Sequence, residues 1–223
     1  MSTIEKLQRE VLEVILGIYR GGLVTEHAGN ASGIDRKRGL VVIKPSGVDY
    51  LKMRASDMVV TDLEGRKTKG QWKPSVDLPH HLYLYRHCPE IGGVIHTHSN
   101  YATSFALLGR PIPVCLTAIA DEFGEDIPCA PYVDNIGDHI GETILKYRSR
   151  APSILLSQHG TFSWGPTPRE ALKAAVMLED VAKTVHLAML LGGEPKRLPP
   201  EEVKKWWDRY HSTYGQQDLE KKR

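Results

Sequence analysis

The chain has 223 residues, and its 29 basic and 27 acidic side chains leave a formal charge of +2 with histidine neutral. Hydrophobic residues make up 41% and charged residues 25%, which is ordinary for a globular protein. This balance of charge argues against a protein that binds nucleic acid electrostatically, and the length is typical of one domain. Five of the ten histidines fall between positions 80 and 98, and such a cluster indicates a metal site, a catalytic group or chance.

Cysteine usage and the N-terminal segment bear on the compartment. Cys88, Cys115 and Cys129 form no CxxC pair, so neither a disulfide framework nor a cysteine-rich zinc module is expected. The first twenty residues lack the basic-then-apolar order of a signal peptide, and no apolar run reaches the roughly eighteen residues that span a membrane. These patterns predict a cytoplasmic protein with neither membrane nor nucleic-acid partners.

Hydrophobic periodicity and turn residues predict the elements of the first half of the chain. Apolar residues spaced by three and four from Ile4 to Leu16 predict a helix that ends at Gly21-Gly22. The following stretches are predicted in order: loop or short strands over 23–39, strands over 40–47 and 58–65, a helix over 77–87, a buried strand over 92–98, and a short helix from Ser99 to Gly109.

The second half is predicted in the same way, and it completes the fold class. Its predicted elements are short extended pieces over 110–133, an amphipathic helix over 134–148, a strand over 153–160, a helix over 168–191 with a capping box at its start, and a last helix over about 200–211. The pattern favours a single α/β domain over 1–216, with a mixed or mostly antiparallel central sheet and helices on both faces. The charged residues 217–223 are expected to be a disordered tail.

The metal hypothesis starts from His96 and His98, which stand two apart at the end of an apolar strand and so point to one face. This HxH pair alone is equally consistent with an exposed strand pair. His159 strengthens it, because it ends a second buried strand and is followed by Gly160, where close backbone approach is allowed. Three histidines fit a catalytic zinc site with open positions. Asp77 is the candidate fourth ligand, although a helix N-cap is the commoner role for aspartate there.

The remaining histidines have weaker patterns. His80 and His81 lie one turn into the helix that follows Asp77, and only one of them can share its face, so both are interpreted as structural or supporting residues. No HExxH motif is present, which excludes a gluzincin protease. No partner pattern accompanies the others: His27, His87, His139 and His186.

Three short segments have the residue types that are typical of an anion-binding site. Residues 44–47 (Lys-Pro-Ser-Gly) follow a strand, residues 73–75 (Lys-Pro-Ser) precede a helix, and Asn30 lies in a glycine-rich loop. Hydroxyl groups, glycine and exposed backbone N–H groups bind phosphate well. Each segment alone is more often a turn, but beside a metal site they suggest a phosphorylated substrate.

Together the motifs resemble the class II aldolase/epimerase family, and within it the branch of L-ribulose-5-phosphate 4-epimerases. The resemblance runs from the first helix to Gln216, and the order and spacing of the motifs carry it. They are Gly29-Asn30-Ala31-Ser32, IKPSGVDY at 43–50, Lys73-Pro74-Ser75 followed by Asp77, HTHS at 96–99, Ala120-Asp121, Ile127-Pro128-Cys129, Gln158-His159-Gly160, Trp164-Gly165 and Tyr214-Gly215-Gln216.

The resemblance implies a site and an assembly. It implies a C4 homotetramer with active sites between neighbouring subunits, and a Zn2+ cofactor, with another divalent metal such as Mn2+ as an option. The implied roles are metal binding by His96, His98 and His159 with Asp77 beside them; phosphate and substrate binding by Asn30, Lys44, Ser46, Gly47 and Ser75; acid–base catalysis by Asp121 and by Tyr214 from the neighbouring subunit; and less defined roles near the site for Thr117 and His211.

The implied reaction converts L-ribulose 5-phosphate to D-xylulose 5-phosphate, as in arabinose catabolism, by breaking and re-forming the C3–C4 bond. This chain departs from the epimerase pattern at Val76, where a second serine is usual, and around Asp121, at Ile119, Glu122 and Gly124. The alternative within the family is a ketose-1-phosphate aldolase of the L-fuculose-phosphate type, against which Asp77 and the Tyr-Gly-Gln ending weigh. A zinc hydrolase with Asp77 as base is a further alternative, and the phosphate-type loops do not require it. A non-catalytic zinc-stabilised binding protein ranks low, because closed structural zinc sites usually use cysteine.

Overall fold

A computed structural model describes residues 2–215, which form one α/β domain with seven helices and an eight-stranded sheet. The helices are α1 (Thr3–Arg20), α2 (Leu78–His87), α3 (Asn100–Leu107), α4 (Thr117–Phe123), α5 (His139–Tyr147), α6 (Pro168–Leu190) and α7 (Pro200–Ser212). The strands are β1 (Asn30–Asp35), β2 (Leu40–Ile43), β3 (Val59–Asp62), β4 (Lys67–Lys69), β5 (Gly93–Thr97), β6 (Cys129–Ala130), β7 (Ser153–Leu156) and β8 (Gly160–Gly165). The predicted tail over 217–223 lies outside the described residues, as does Gln216 before it.

The sheet has the strand order β4-β3-β2-β1-β5-β8-β7-β6. Six of its seven pairings are antiparallel, and the short edge strand β6 pairs with β7 in parallel. The predicted mixed sheet is therefore confirmed. Strand β5 lies at the centre between β1 and β8, so a side chain at its end is surrounded by protein on both sides.

Helices cover both faces of the sheet, as predicted, because successive strand residues point to opposite sides. In β2, Val41 and Ile43 pack with residues of α2 and α5, whereas Val42 between them packs with residues of α1 and α6. A third cluster joins α3, α4 and α6, and it also includes Leu155 of β7 and Val203 of α7. Among residues 2–215, none of the helices combines the length and the apolar content that crossing a bilayer needs.

The prediction of short extended pieces over 110–133 was wrong in its middle. Residues 117–123 form α4, which ends at Gly124 in the left-handed conformation (φ 69°). Prolines on either side of so short a helix hide its period, and its stability comes from burial of Ile119, Ala120 and Phe123 rather than from propensity. This correction matters because α4 carries Thr117 and Asp121.

Other boundaries shifted for local reasons. Residues 30–35, predicted as loop or short strands, are the central strand β1. The helix predicted from 134 begins at His139, since the Asp134 carboxylate accepts hydrogen bonds from the Ile136 N–H and the His139 ring. Strand β8 was not predicted separately from the strand over 153–160, with which it forms a hairpin.

Candidate active site and metal centre

Three histidines converge at one end of the central strands. The candidate ligand atoms of His96, His98 and His159 all lie within 4.8 Å of one another. The Nε2 atoms of His96 and His98 are 2.9 Å apart, and the ring centroids of His96 and His159 are 4.9 Å apart. His96 is buried, His98 is exposed and His159 is partly buried, so the group is open to solvent on one side.

Strand pairing and one hairpin place these rings. His96, on β5, lies opposite Phe162 of β8 and stacks on its ring at 4.5 Å. His159 lies in the turn between β7 and β8 rather than at a strand end, and Gln158 before it has φ 58°. A Cβ on Gly160 would lie 2.6 Å from His98 Cδ2 and 2.6 Å from the Thr97 carbonyl oxygen. The absence of a side chain at Gly160 therefore lets the hairpin approach the other two histidines.

Hydrogen bonding and burial favour neutral rings. The His96 Nδ1 atom lies 2.9 Å from the Thr161 carbonyl oxygen, which can only accept, so the proton of His96 is on Nδ1 and its Nε2 carries a lone pair. Burial holds the pKa of His96 well below its usual value, and burial also lowers the pKa of His98 and His159. Neutral imidazoles oriented by a carbonyl are the ligands that divalent metals require.

The donor set fits a divalent cation. Three neutral imidazoles on rigid elements, open on one side and with no cysteine among them, are typical of a catalytic rather than a closed structural metal site. The Nε2 atoms of His96 and His98 face each other at 2.9 Å, so a proton on His98 Nε2 can bridge them, and a divalent cation bound by both lone pairs can take the place of that proton. His96, His98 and His159 are therefore the residues that would hold the metal.

Asp77 lies beside this centre and is held there by Asn30. It occupies the N-cap position of α2, but its side chain does not cap the helix. Instead its Oδ2 accepts a 2.6 Å hydrogen bond from the Asn30 side chain, which β1 places directly opposite His96. The Asp77 carboxylate raises the pKa of His98 and His159 against the larger effect of burial. Within residues 2–215, Asp77 is outside the group of ligand atoms within 4.8 Å, so direct ligation by Asp77 stays a prediction.

His80 and His81 are buried behind the centre. The His81 Nδ1 atom lies 2.7 Å from the Ser32 hydroxyl, which also contacts the Tyr85 hydroxyl at 2.7 Å. Burial lowers the pKa of His81 to about 3. Both ring nitrogens of His80 lack a hydrogen-bond partner among the described residues. This is consistent with the supporting role predicted for the pair.

The two lysine-proline-serine segments meet. Pro45 and Pro74 form an antiparallel bridge, flanked by hydrogen bonds from Ser46 N–H to the Lys73 carbonyl and from Ser75 N–H to the Lys44 carbonyl. Ser46 and Gly47 are exposed and Ser75 is buried. Gly47 has φ 65°, a conformation that favours glycine. Val76, where a hydroxyl was expected, is 75% exposed.

Lys44 is the buried cation of this region. Its side chain is 2% exposed, its Nζ donates to the His27 carbonyl at 3.1 Å, and it lies 4.8 Å from the centroid of the Tyr50 ring. Burial lowers the pKa of Lys44 to about 8, and the Asp77 carboxylate opposes that shift. Lys44 therefore connects the anion-type loop with the carboxylate beside the histidines.

The remaining predicted residues form a second group at the corner between α4 and α7. Thr117 and Asp121 lie one turn apart on α4, while His211 lies in the last turn of α7 and Tyr214 follows two residues after that helix. Burial raises the pKa of Asp121, and the neighbouring Arg209 and then His211 oppose this shift. Tyr214 is 53% exposed and stacks on Tyr210 with ring centroids 5.0 Å apart. Within residues 2–215, no hydrogen bond, ion pair or ring contact of Asp121 or Tyr214 reaches the three histidines.

Sequence reasoning missed the charged residues of this corner. Glu122 is 3% exposed, and its Oε2 lies 3.1 Å from Lys173 Nζ in an ion pair without hydrogen-bond geometry. Burial, and after it the neighbouring Glu122 carboxylate, raise the pKa of Tyr210 to about 12. Arg209 lies 3.8 Å from Asp121. The adjacent Asp121-Glu122 pair was the one available sequence signal.

Comparison with known proteins matches this chain to one family and one fold. Residues 9–186 match the model of the class II aldolase and adducin N-terminal domain. An L-fuculose 1-phosphate aldolase is 27% identical, with a TM-score of 0.83 over 95% of this chain and 98% of that one. A protein from Klebsiella pneumoniae described as a candidate aldolase/epimerase/decarboxylase is 26% identical, with a TM-score of 0.80 over 92% and 100%. An L-fuculose 1-phosphate aldolase from Glaciozyma antarctica, 21% identical, shares the fold with a TM-score of 0.78 over 94% and 84%.

Proposed function

The chain belongs to the class II aldolase family, whose model covers residues 9–186, and from this premise we propose that it is a zinc-dependent C4-epimerase of L-ribulose 5-phosphate. One observation carries the choice of epimerase: Asp121 and Tyr214, a carboxylate and a phenol, both contact the Arg209 side chain. Inversion at C4 needs one group to remove a proton and another to return one, and this pair supplies both types.

The metal centre would act on cleavage of the C3–C4 bond of the substrate. A divalent cation held by His96, His98 and His159 supplies positive charge against the oxygen charge that develops when a ketose cleaves between C3 and C4. C4 carries no acidic proton, so simple deprotonation cannot invert it, and cleavage with re-addition can. The Asp77 carboxylate, fixed by Asn30, lies beside the three rings and orients a substrate hydroxyl there.

Asp121 and Tyr214, at the α4–α7 corner, transfer the protons in this proposal. Asp121 accepts the proton of the C4 hydroxyl as the C3–C4 bond breaks, which leaves a bound aldehyde and an enediolate. The aldehyde turns its other face to the enediolate, the C–C bond re-forms, and the new C4 alkoxide takes a proton from the Tyr214 hydroxyl. Burial raises the pKa of Asp121, which makes its carboxylate a better base.

The phosphate is retained by the paired segments 44–47 and 73–75. The exposed Ser46 and Gly47, together with the buried Ser75 hydroxyl and Lys44 ammonium, favour an anion. Retention of the phosphate keeps the aldehyde fragment bound between cleavage and re-addition. An enzyme with a weaker hold on this fragment would release it and act as an aldolase.

The proposal includes a homotetramer with fourfold (C4) symmetry, in which neighbouring subunits share each active site. The α4–α7 corner contains Asp121, His211 and Tyr214, whereas the metal histidines lie at the end of β5 and in the β7–β8 turn. We place the corner of one subunit against the metal centre of its neighbour. Since Arg209 contacts both Asp121 and Tyr214 within one chain, we take both acid–base groups from the same subunit, which departs from the implied arrangement in which only Tyr214 came from the neighbour.

The second candidate is a ketose-1-phosphate aldolase, and the 27% identity to an L-fuculose 1-phosphate aldolase favours it. One experiment separates the two. The zinc-loaded and manganese-loaded protein is incubated with L-ribulose 5-phosphate and, separately, with L-fuculose 1-phosphate. The proposal predicts D-xylulose 5-phosphate from the first without free glycolaldehyde phosphate. Release of dihydroxyacetone phosphate from the second at a higher kcat/KM would replace the proposal with the aldolase.

A further inference from the structure

Arg209, on the last turn of α7, contacts both proposed acid–base residues. Its Nη2 atom lies 3.8 Å from Asp121 Oδ2, and its Cζ atom lies 5.3 Å from the centroid of the Tyr214 ring. The Arg209 Cζ atom is also 4.7 Å from the Trp206 ring centroid, so the guanidinium group lies over that ring as well. The sequence analysis gave Arg209 no role.

The contact with Arg209 affects the Asp121 carboxylate because little else nearby stabilises its charge. Its Oδ1 atom is buried and has no hydrogen-bond partner among the described residues, so Arg209 provides the nearest compensation for the carboxylate. Arg209 is the largest influence that opposes the raised pKa of Asp121, and His211 is the second. Of the neighbouring charged groups, Glu122 pairs with Lys173 on α6 and also lies beside Tyr210.

We propose that Arg209 is a positioning residue that holds the Asp121 carboxylate and the Tyr214 ring in one arrangement for proton transfer. The inference rests on the roles proposed for Asp121 and Tyr214. Arginine suits the task because a planar guanidinium pairs with a carboxylate and also stacks on an aromatic ring, which an ammonium does less well. Its backbone carbonyl accepts hydrogen bonds from Thr213 and Tyr214, so the helix end does not depend on the side chain.

The test compares Arg209→Met with Arg209→Lys and with a matched control. Lys205→Met removes a cation from the same helix that also covers the Trp206 ring (4.9 Å) but pairs with Glu202 instead of Asp121. We expect Arg209→Met to lower kcat for epimerisation by about 10- to 100-fold with KM changed less than about two-fold, because misplaced acid–base groups slow the chemical step. Arg209→Lys should restore part of the loss, and Lys205→Met should leave kcat unchanged.

The pH profile gives a readout that a merely structural role would not move. Loss of the Arg209 charge raises the pKa of Asp121, so the acidic limb of the kcat/KM profile should move to higher pH in Arg209→Met and remain in place in Lys205→Met. Zinc content should stay at the wild-type level in all variants. An unchanged acidic limb together with a wild-type kcat would overturn the inference.

Asp121→Asn and Tyr214→Phe separate failure of this inference from failure of the proposed function. If both are slow while Arg209→Met is normal, the positioning role is wrong and the proposed function stands. If both retain the wild-type rate, the proposed acid–base roles are wrong. A double variant, Arg209→Met with Asp121→Asn, should lose less than the sum of the two single losses, because the part of the Arg209 effect that acts through Asp121 is already gone, whereas fully additive losses would show that Arg209 acts elsewhere.

Discussion

At the scale of single residues, the hydrogen bond between the His96 ring and the Thr161 carbonyl decides which ring nitrogen is free for a metal. The same carbonyl orients the ring toward His98, whose Nε2 lies 2.9 Å away. The metal hypothesis thus depends on three side chains and one backbone oxygen. Asp77, held by Asn30, adds a negative charge next to the rings.

His98→Asn tests this arrangement. We expect bound metal and catalytic activity to fall together, because two imidazoles hold a catalytic zinc far less tightly than three. Metal analysis of the purified protein and a rate assay measure the two effects. His87→Asn is the control, since His87 is exposed and its ring contacts Tyr83 instead of the cluster. Full metal content in His98→Asn would remove His98 from the ligand set.

At the scale of elements, α2 carries two buried histidines, and their burial gives the metal-free protein a pH-dependent stability. The pKa of His81 falls from about 6.5 in the unfolded chain to about 3 in the fold. The unfolded chain therefore binds more protons between these values, and the free energy of unfolding should decrease as pH falls below about 6.5. Each such histidine contributes roughly 1.4 kcal/mol per pH unit.

Urea unfolding of the chelator-treated protein at pH 7.5 and pH 5 measures this effect. The free energy of unfolding should be lower at pH 5, and the difference should shrink in His81→Asn. An exposed-site control, His87→Asn, should show the wild-type difference. Equal stability of the wild-type protein at the two pH values would mean that these rings can be protonated inside the fold.

The β7–β8 hairpin is the element that delivers His159, and Gly160 lets it approach the centre. In Gly160→Ala the new Cβ would lie 2.6 Å from both His98 Cδ2 and the Thr97 carbonyl oxygen, so the hairpin must move. We expect about 10- to 100-fold weaker metal affinity, as for other changes next to metal ligands. Gly193→Ala, where a Cβ meets no atom within 4 Å, is the matched control. Unchanged zinc affinity in Gly160→Ala would contradict the placement of this hairpin.

Much of this element-level picture follows from sequence periodicity, and the failures have physical causes. The helices α1 and α6 were predicted because each has a periodic apolar face that ends at a glycine pair, whereas α2 was predicted from its flanking Asp77 and prolines and β5 from a short apolar run. The helix α4 was missed because seven residues between prolines show too little periodicity. The histidine cluster was predicted from strand ends, whereas the contact between Arg209 and Asp121 joins two distant segments of the chain that share no motif, and it becomes visible only in the structure.

At the scale of the whole molecule, the metal centre and the α4–α7 corner are separate groups within one chain, and a shared site in the proposed tetramer would unite them. Mixed tetramers test this. Chains with His98→Asn lack the metal half, chains with Tyr214→Phe lack the proton-transfer half, and refolding the two together should restore about a quarter or less of the wild-type activity. Co-refolding Asp121→Asn with Tyr214→Phe should restore none, since both residues come from one corner. Absence of recovery in the first mixture would contradict the shared site.

The most direct test of the central claim follows the fate of C4. Zinc-loaded protein is incubated in deuterium oxide with L-ribulose 5-phosphate carrying carbon-13 at C4, and the products are followed by NMR. The account predicts that the C3–C4 bond breaks and re-forms while the aldehyde fragment stays bound. The product should then be labelled D-xylulose 5-phosphate that keeps its original hydrogen at C4, with no labelled glycolaldehyde phosphate in solution. Deuterium at C4, accumulation of the labelled aldehyde, or unchanged substrate with fully metal-loaded protein would contradict the account.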